Sequence, residues 1–145
     1  MDSNGITTID FIFTIFLTLI ISITIFNFIG NNLENQITLE DELNMRIVTD
    51  DVANTINQVN SNNLGHLQEI TIQNNISKRF SITISSNKVL FDSSDRKAES
   101  TIFPILLANV NNDIVGEIKL YPGETYKIKK TLNEKNQTVI QIFRI

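Results

Sequence analysis

The feature that most limits what this chain can become is the run Phe11–Ile29, FIFTIFLTLIISITIFNFI. It holds nineteen residues without a charge, interrupted only by Thr14, Thr18, Ser22, Thr24 and Asn27. As a helix rising about 1.5 Å per residue it spans roughly 28 Å, close to the hydrocarbon thickness of a bilayer. A core helix or buried strand of that length does not suit a chain of 145 residues. The reading is therefore one membrane-inserted helix and a single compact domain of roughly a hundred residues beyond it. A removable secretory signal fits poorly, because it opens with basic residues, has a shorter apolar stretch and closes on small-x-small. Here the chain opens Met-Asp-Ser-Asn-Gly and follows the run with Gly30-Asn31-Asn32. The positive-inside rule assigns no orientation, since the first Lys or Arg is Arg46.

Charge is distributed unevenly along the rest. Between Asn31 and Asn60 the acids Glu34, Glu40, Asp41, Glu42, Asp50 and Asp51 face Arg46 alone. Between Val115 and Ile145 the bases Lys119, Lys127, Lys129, Lys130, Lys135 and Arg144 outnumber Glu117, Glu124 and Glu134. That asymmetry is too mild for a nucleic-acid footprint, but acidic helix and basic strands are complementary and are expected to meet between copies. Cysteine is absent, which excludes disulfides, thiolate metal sites and a Cys nucleophile.

After Gly30-Asn31-Asn32, expected as a kink or local unwinding, helical spacing resumes. Leu33, Ile37, Leu43, Ile47, Val48, Val52, Ile56 and Val59 recur at three- to four-residue steps with acids between them. Asn60 to Gly65 closes this amphipathic helix with αL-tolerant residues. A coiled-coil stem is the competing reading, against which the heptad is irregular. Beyond Gly65 the period becomes two, and strands are expected at 66–73, 79–85, 88–92, 101–108, 114–121, 125–132 and 138–145. Turns are signalled by Asn74-Asn75, Ser86-Asn87, Asn111-Asn112-Asp113, Pro122-Gly123 and Asn133–Asn136. Pro104 marks its run as an edge strand or bulge. The fold class expected is α+β: a long helix, hydrophobic then amphipathic, on an antiparallel meander of five to seven strands. Its parts are a leader (1–5), a hydrophobic helix (6–30), an amphipathic helix (31–64) and a β-rich domain (65–145).

The inventory for catalysis is nearly empty. His66 is the lone histidine, Ser93-Ser94-Asp95 has no partner base, and no phosphate loop, nucleophile elbow or HExxH occurs. Asp50-Asp51 and Glu40-Asp41-Glu42 read as a solvated helix face rather than a metal site. The expectation is a non-enzyme without cofactor. Asn75-Ile76-Ser77 and Asn136-Gln137-Thr138 are sequons in turns, candidate N-glycosylation acceptors if the domain is extracellular.

Two features give the apolar segment more content. A carboxylate at Asp10, one residue before the run, costs a few kcal/mol in lipid unless it is paired or near the interface. Asp10, Thr14, Thr18 and Ser22 also follow one another at i, i+4 as a ridge of small and polar residues. Such ridges let helices approach closely in an apolar medium. The alternatives are an Asp10 held at headgroup level by the helix dipole, and hydroxyls bonded back to their own carbonyls. The string Gly5-Ile6-Thr7-Thr8-Ile9-Asp10-Phe11 resembles the N-terminus of type IV pilin-like precursors, the class III signal peptides of archaeal pilins and archaellins. The resemblance covers about the first thirty residues. It implies cleavage by a prepilin-type peptidase between Gly5 and Ile6, and a mature chain beginning with the hydrophobic helix. It also gives Asp10, where the family usually has Glu, the role of setting axial register by pairing with a free N-terminal ammonium. The expected protein is thus a pilin-like, accessory subunit of an archaeal-type surface filament. It would wait in the membrane with its β domain outside and polymerise with other subunits. The rival is a single-pass anchored protein whose extracellular domain binds another envelope protein and does not polymerise.

Overall fold

The computed structural model describes residues 3–74, 76, 79–94 and 96–145, with side chains from residue 9 onward. Two compact units divide the chain, residues 1–40 and 41–145. One helix, α1 (Ser3–Ser61), crosses that division. It continues through Gly30, where a kink was expected. A single helical glycine costs only about 1 kcal/mol relative to Ala, too little to break a helix flanked by good helix formers. The helix ends as the sequence suggests, with Gly65 at φ 87° in the connection that follows.

In the second unit α1 buries one face. Met45, Val48, Thr49, Val52, Ala53, Ile56 and Val59 are all buried, at steps of three and four. Thr49 donates its hydroxyl to Met45 O at 2.6 Å, so its own polar group is not stranded in the core. Leu43 and Ile47, assigned by spacing to the same stripe, are instead 61% and 63% exposed. They lie roughly opposite Met45 and Ile56 on a 100°-per-residue wheel. Periodicity identifies an apolar line but not which of two lines faces inward.

Nine strands follow among the described residues: β1 (Leu67–Thr71), β2 (Phe80–Ser85), β3 (Lys88–Ser93), β4 (Lys97–Thr101), β5 (Leu107–Ala108), β6 (Ile114–Val115), β7 (Glu117–Leu120), β8 (Thr125–Leu132) and β9 (Thr138–Arg144). They form a five-stranded sheet, β1-β8-β9-β5-β6, and a four-stranded sheet, β4-β3-β2-β7. The class is α+β as expected, yet the strands do not form one meander. The chain changes sheets four times, and two of those changes fall at a residue that disfavours a continuous ladder. Around Pro104, which has no N–H to give, residues 102–106 leave β4's sheet and re-enter as β5, parallel to β9. Ile102 N and Ile105 N bond Asn87 O and Ser86 O on the way, and Phe103 N bonds Asn57 Oδ1 of α1. At Gly116, whose surroundings are open, the expected run 114–121 splits into β6 in one sheet and β7 in the other.

Both sheets and the helix face share one hydrophobic cluster. Alternation supplies it: Phe80, Ile82 and Ile84 from β2, Val89 and Phe91 from β3, and Tyr126 and Ile128 from β8 point inward. Phe80 and Phe91 stack with ring centroids 4.6 Å apart, a geometry worth about 0.5–1.5 kcal/mol beyond burial.

The turns repay the asparagine-rich composition. Asn109 Oδ1 accepts the N–H groups of Asn111 and Asp113, and Asn133 Oδ1 accepts those of Lys135 and Gln137. Three residues after each capping Asn the chain enters the left-handed region, at Asn112 (φ 68°) and Asn136 (φ 55°), where Asn is better tolerated than other non-glycine residues. The two hairpins β5–β6 and β8–β9 therefore use the same turn chemistry. Gly123 at φ 80° after Pro122 completes the type II pair.

Candidate assembly segment

In the first unit the apolar residues have no protein to bury against. Each large apolar side chain from Ile9 to Ile29 is exposed, from 45% at Ile15 to 77% at Phe26. This is the chain's one helix long and apolar enough to cross a membrane among the described residues. Fifteen large apolar side chains with this exposure would not stay in water. Their solvent is lipid or other apolar helices.

The ridge of small and polar residues has a defined hydrogen-bond state. Thr14 Oγ1 donates to Asp10 O, Thr18 Oγ1 to Thr14 O and Ser22 Oγ to Thr18 O, each at 2.8 Å. Thr24 does the same to Ile20 O. In a single chain the hydroxyl protons are thus consumed locally. What the ridge offers a neighbour is a low profile and spare acceptor lone pairs, not donors. Asp10 is exposed, and among the described residues no basic group pairs with it. It stands well past the first turn of α1, which begins at Ser3. A dipole effect that fades within the first turn does not account for its place. Gly5 and Ile6 fall on helical backbone, and their side chains lie outside the described residues.

Elsewhere the sequence candidates scatter. Asn75 lies outside the described residues. Asn136 is exposed on the β8–β9 turn, two residues before Thr138 opens β9. His66 has a buried Nε2 without a hydrogen-bond partner among the described residues, and no three His, Asp or Glu side chains converge there. Ser93 Oγ donates to Arg79 O, and Asp50 Oδ1 accepts from Ser100 Oγ. One acid of the helix and two bases of the strands find near partners within the chain. Glu42 meets Arg46, Glu69 meets Lys127 and Glu124 meets Arg144.

Two arrangements escaped sequence reading. Lys130 shares the inward parity of Tyr126 and Ile128 on β8, and its Nζ caps the end of α1 at Asn60 O (2.5 Å) and Asn62 O (2.9 Å). A cation is favoured there because the last carbonyls of a helix lack partners and carry the negative end of its dipole. A lysine in an otherwise apolar parity was the available signal. The second arrangement joins the Pro122-Gly123 turn to the C-terminal strand. Tyr126 OH donates to Glu124 Oε2 at 2.5 Å and accepts from Tyr121 N at 3.0 Å, while Arg144 Nη1 meets Glu124 Oε1 at 2.6 Å. Burial, with the Glu124 hydrogen bond second, pushes the Tyr126 phenol up to about 12. An inward-facing tyrosine in need of a partner pointed there.

Comparison with protein-family models, curated proteins and solved structures returned no match to this chain.

Proposed function

We propose that this chain is a pilin-like structural subunit whose apolar N-terminal helix polymerises with other subunits, its β-rich domain displayed outside the cell. The observation that carries the reading is the contrast within one helix. The second unit buries its helix face in its own core, while every large apolar residue from Ile9 to Ile29 is left exposed. The Gly5/Ile6 junction, Asp10 as the fifth residue beyond it and the Thr14–Thr18–Ser22 ridge support assembly over permanent residence in lipid. Its partners are then the membrane, a prepilin-type peptidase and other subunits. An accessory role is preferred. The function is mechanical and positional rather than catalytic.

A second reading draws on the back-bonded hydroxyls, the state that Thr and Ser adopt when a helix faces lipid alone. In that reading the helix anchors a monomeric extracellular domain that binds another envelope protein. The absence of native cysteine permits a clean test. Thr18→Cys, oxidised in intact cells, gives disulfide-linked species if ridges meet in an assembly. Only monomer at full expression would favour the anchored-domain reading.

A further inference from the structure

The four-stranded sheet ends at β4, which among the described residues pairs on one side only. The two hydrogen bonds flanking the β3–β4 ladder set its parity. Ser93 N donates to Arg96 O and Ile102 N donates to Asn87 O, both pairs continuing the β3–β4 register. In an antiparallel ladder hydrogen-bonded pairs alternate with non-bonded ones. Ala98 and Ser100 therefore spend their main-chain groups on β3. The N–H and C=O groups of Lys97, Glu99 and Thr101 point to the open edge. Ala98 and Ser100 are half-buried and turn their side chains toward α1, where Ser100 reaches Asp50. Lys97, Glu99 and Thr101 are exposed.

Beside that edge lies a mostly polar groove of about 280 Å³, walled on one side by Glu42, Met45, Arg46, Thr49 and Asp50 of α1 and on the other by β4. An unpaired edge strand facing a helix across a groove is the geometry that accepts an added strand. The charges say what kind. Among the described residues, Lys97 and Glu99 pair with Asp92 (3.7 Å) and Lys88 (3.1 Å) on β3, and both pairs are exposed, so an arriving strand's charges can join them.

We propose that β4 binds an extended segment of a partner protein by antiparallel strand addition. The segment carries a basic residue opposite Glu99, a small residue opposite Ala98 and an acidic residue opposite Lys97. The central residue projects onto the inner face of the sheet, into the groove beside Met45, and the two charged ones lie on the outer face. Main-chain bonds from Lys97 and Glu99 supply affinity, and the basic–small–acidic order supplies selectivity. This site is independent of how the N-terminal helix is processed or assembled.

The test uses the full chain in detergent micelles, amide hydrogen exchange, and the peptide acetyl-Thr-Ser-Lys-Val-Glu-Thr-amide. Binding is expected to slow exchange at the amides of Lys97, Glu99 and Thr101. The charge-swapped peptide acetyl-Thr-Ser-Glu-Val-Lys-Thr-amide is expected to bind about tenfold more weakly, since it replaces two attractive cross-strand pairs by repulsive ones. The double variant Lys97→Glu, Glu99→Lys reverses that preference. Glu99→Pro removes an N–H that points outward, leaves the β3 ladder intact and abolishes binding. Equal affinity for the two peptides, retained binding by Glu99→Pro, or no protection at millimolar peptide overturns the proposal. So does protection of these amides without peptide that fades on dilution, which would assign the edge to a second copy of the chain.

Discussion

Ile56 and Ile20 are the same residue type on the same helix, yet one is fully buried and the other is half exposed. The first belongs to the unit of residues 41–145, which closes a core around its helix face, and the second to the unit of residues 1–40, which has no core of its own. The apolar effect is identical in kind at both sites. What differs is where the covering surface comes from: this chain at Ile56, and something outside it at Ile20. A helix that changes from one regime to the other supports a subunit or anchor reading more directly than any single motif does.

The comparison breaks most visibly through substitution. Ile56→Ala is expected to cost the second unit about 2–5 kcal/mol, the range for truncating a fully buried isoleucine, as measured by denaturant unfolding in micelles. Ile47→Ala, on the exposed ridge of the same helix, is expected to stay within about 0.5 kcal/mol. Equal losses would show that the two ridges are not distinguished. Ile20→Arg is the reciprocal test. It is expected to raise the cost of membrane insertion by about 3 kcal/mol and to leave the unfolding midpoint of the second unit unchanged.

Smaller effects sharpen the edges of the second unit. Lys130→Ala strips the cation from the last carbonyls of α1 and is expected to cost about 1.5–3 kcal/mol, as for hydrogen bonds involving a charged group. The accompanying signature is faster amide exchange around residues 61–65. Tyr126 gives a pH dependence of known sign. Its phenol is pushed from 10.0 to about 12, so the folded state prefers the neutral form. The contribution is fully present below pH 10, the unfolded value, and is lost as pH rises toward 12. Unfolding scans from pH 9 to 12 should show the wild type losing stability more steeply than Tyr126→Phe.

Much of this fold was legible because period carries it. The change from three- and four-residue steps to alternation at Gly65 separates α1 from the strands, and β8 was expected at the bounds it has. Where the reading failed, the physics differed from the pattern. β4 is Lys-Ala-Glu-Ser-Thr, whose inward positions are the small residues Ala98 and Ser100, so no apolar alternation announces it. Pro104 and Gly116 were visible as punctuation, but whether a break ends a strand or carries the chain to a second sheet depends on contacts distant in sequence. The candidate assembly residues were legible in spacing alone. The Asp10–Thr14–Thr18–Ser22 ridge exists on the helix as read, and the use of its hydroxyl protons within the helix was one of two states the sequence allowed. What no single chain contains is the surface that covers Ile9 to Ile29.

The identity of the mature N-terminus tests the central claim most directly. Intact-mass and N-terminal peptide measurements on protein recovered from its native envelope are expected to find chains beginning at Ile6, with residues 1–5 removed. Full-occupancy chains that retain Met1 would contradict the assembly account and leave the helix as an anchor.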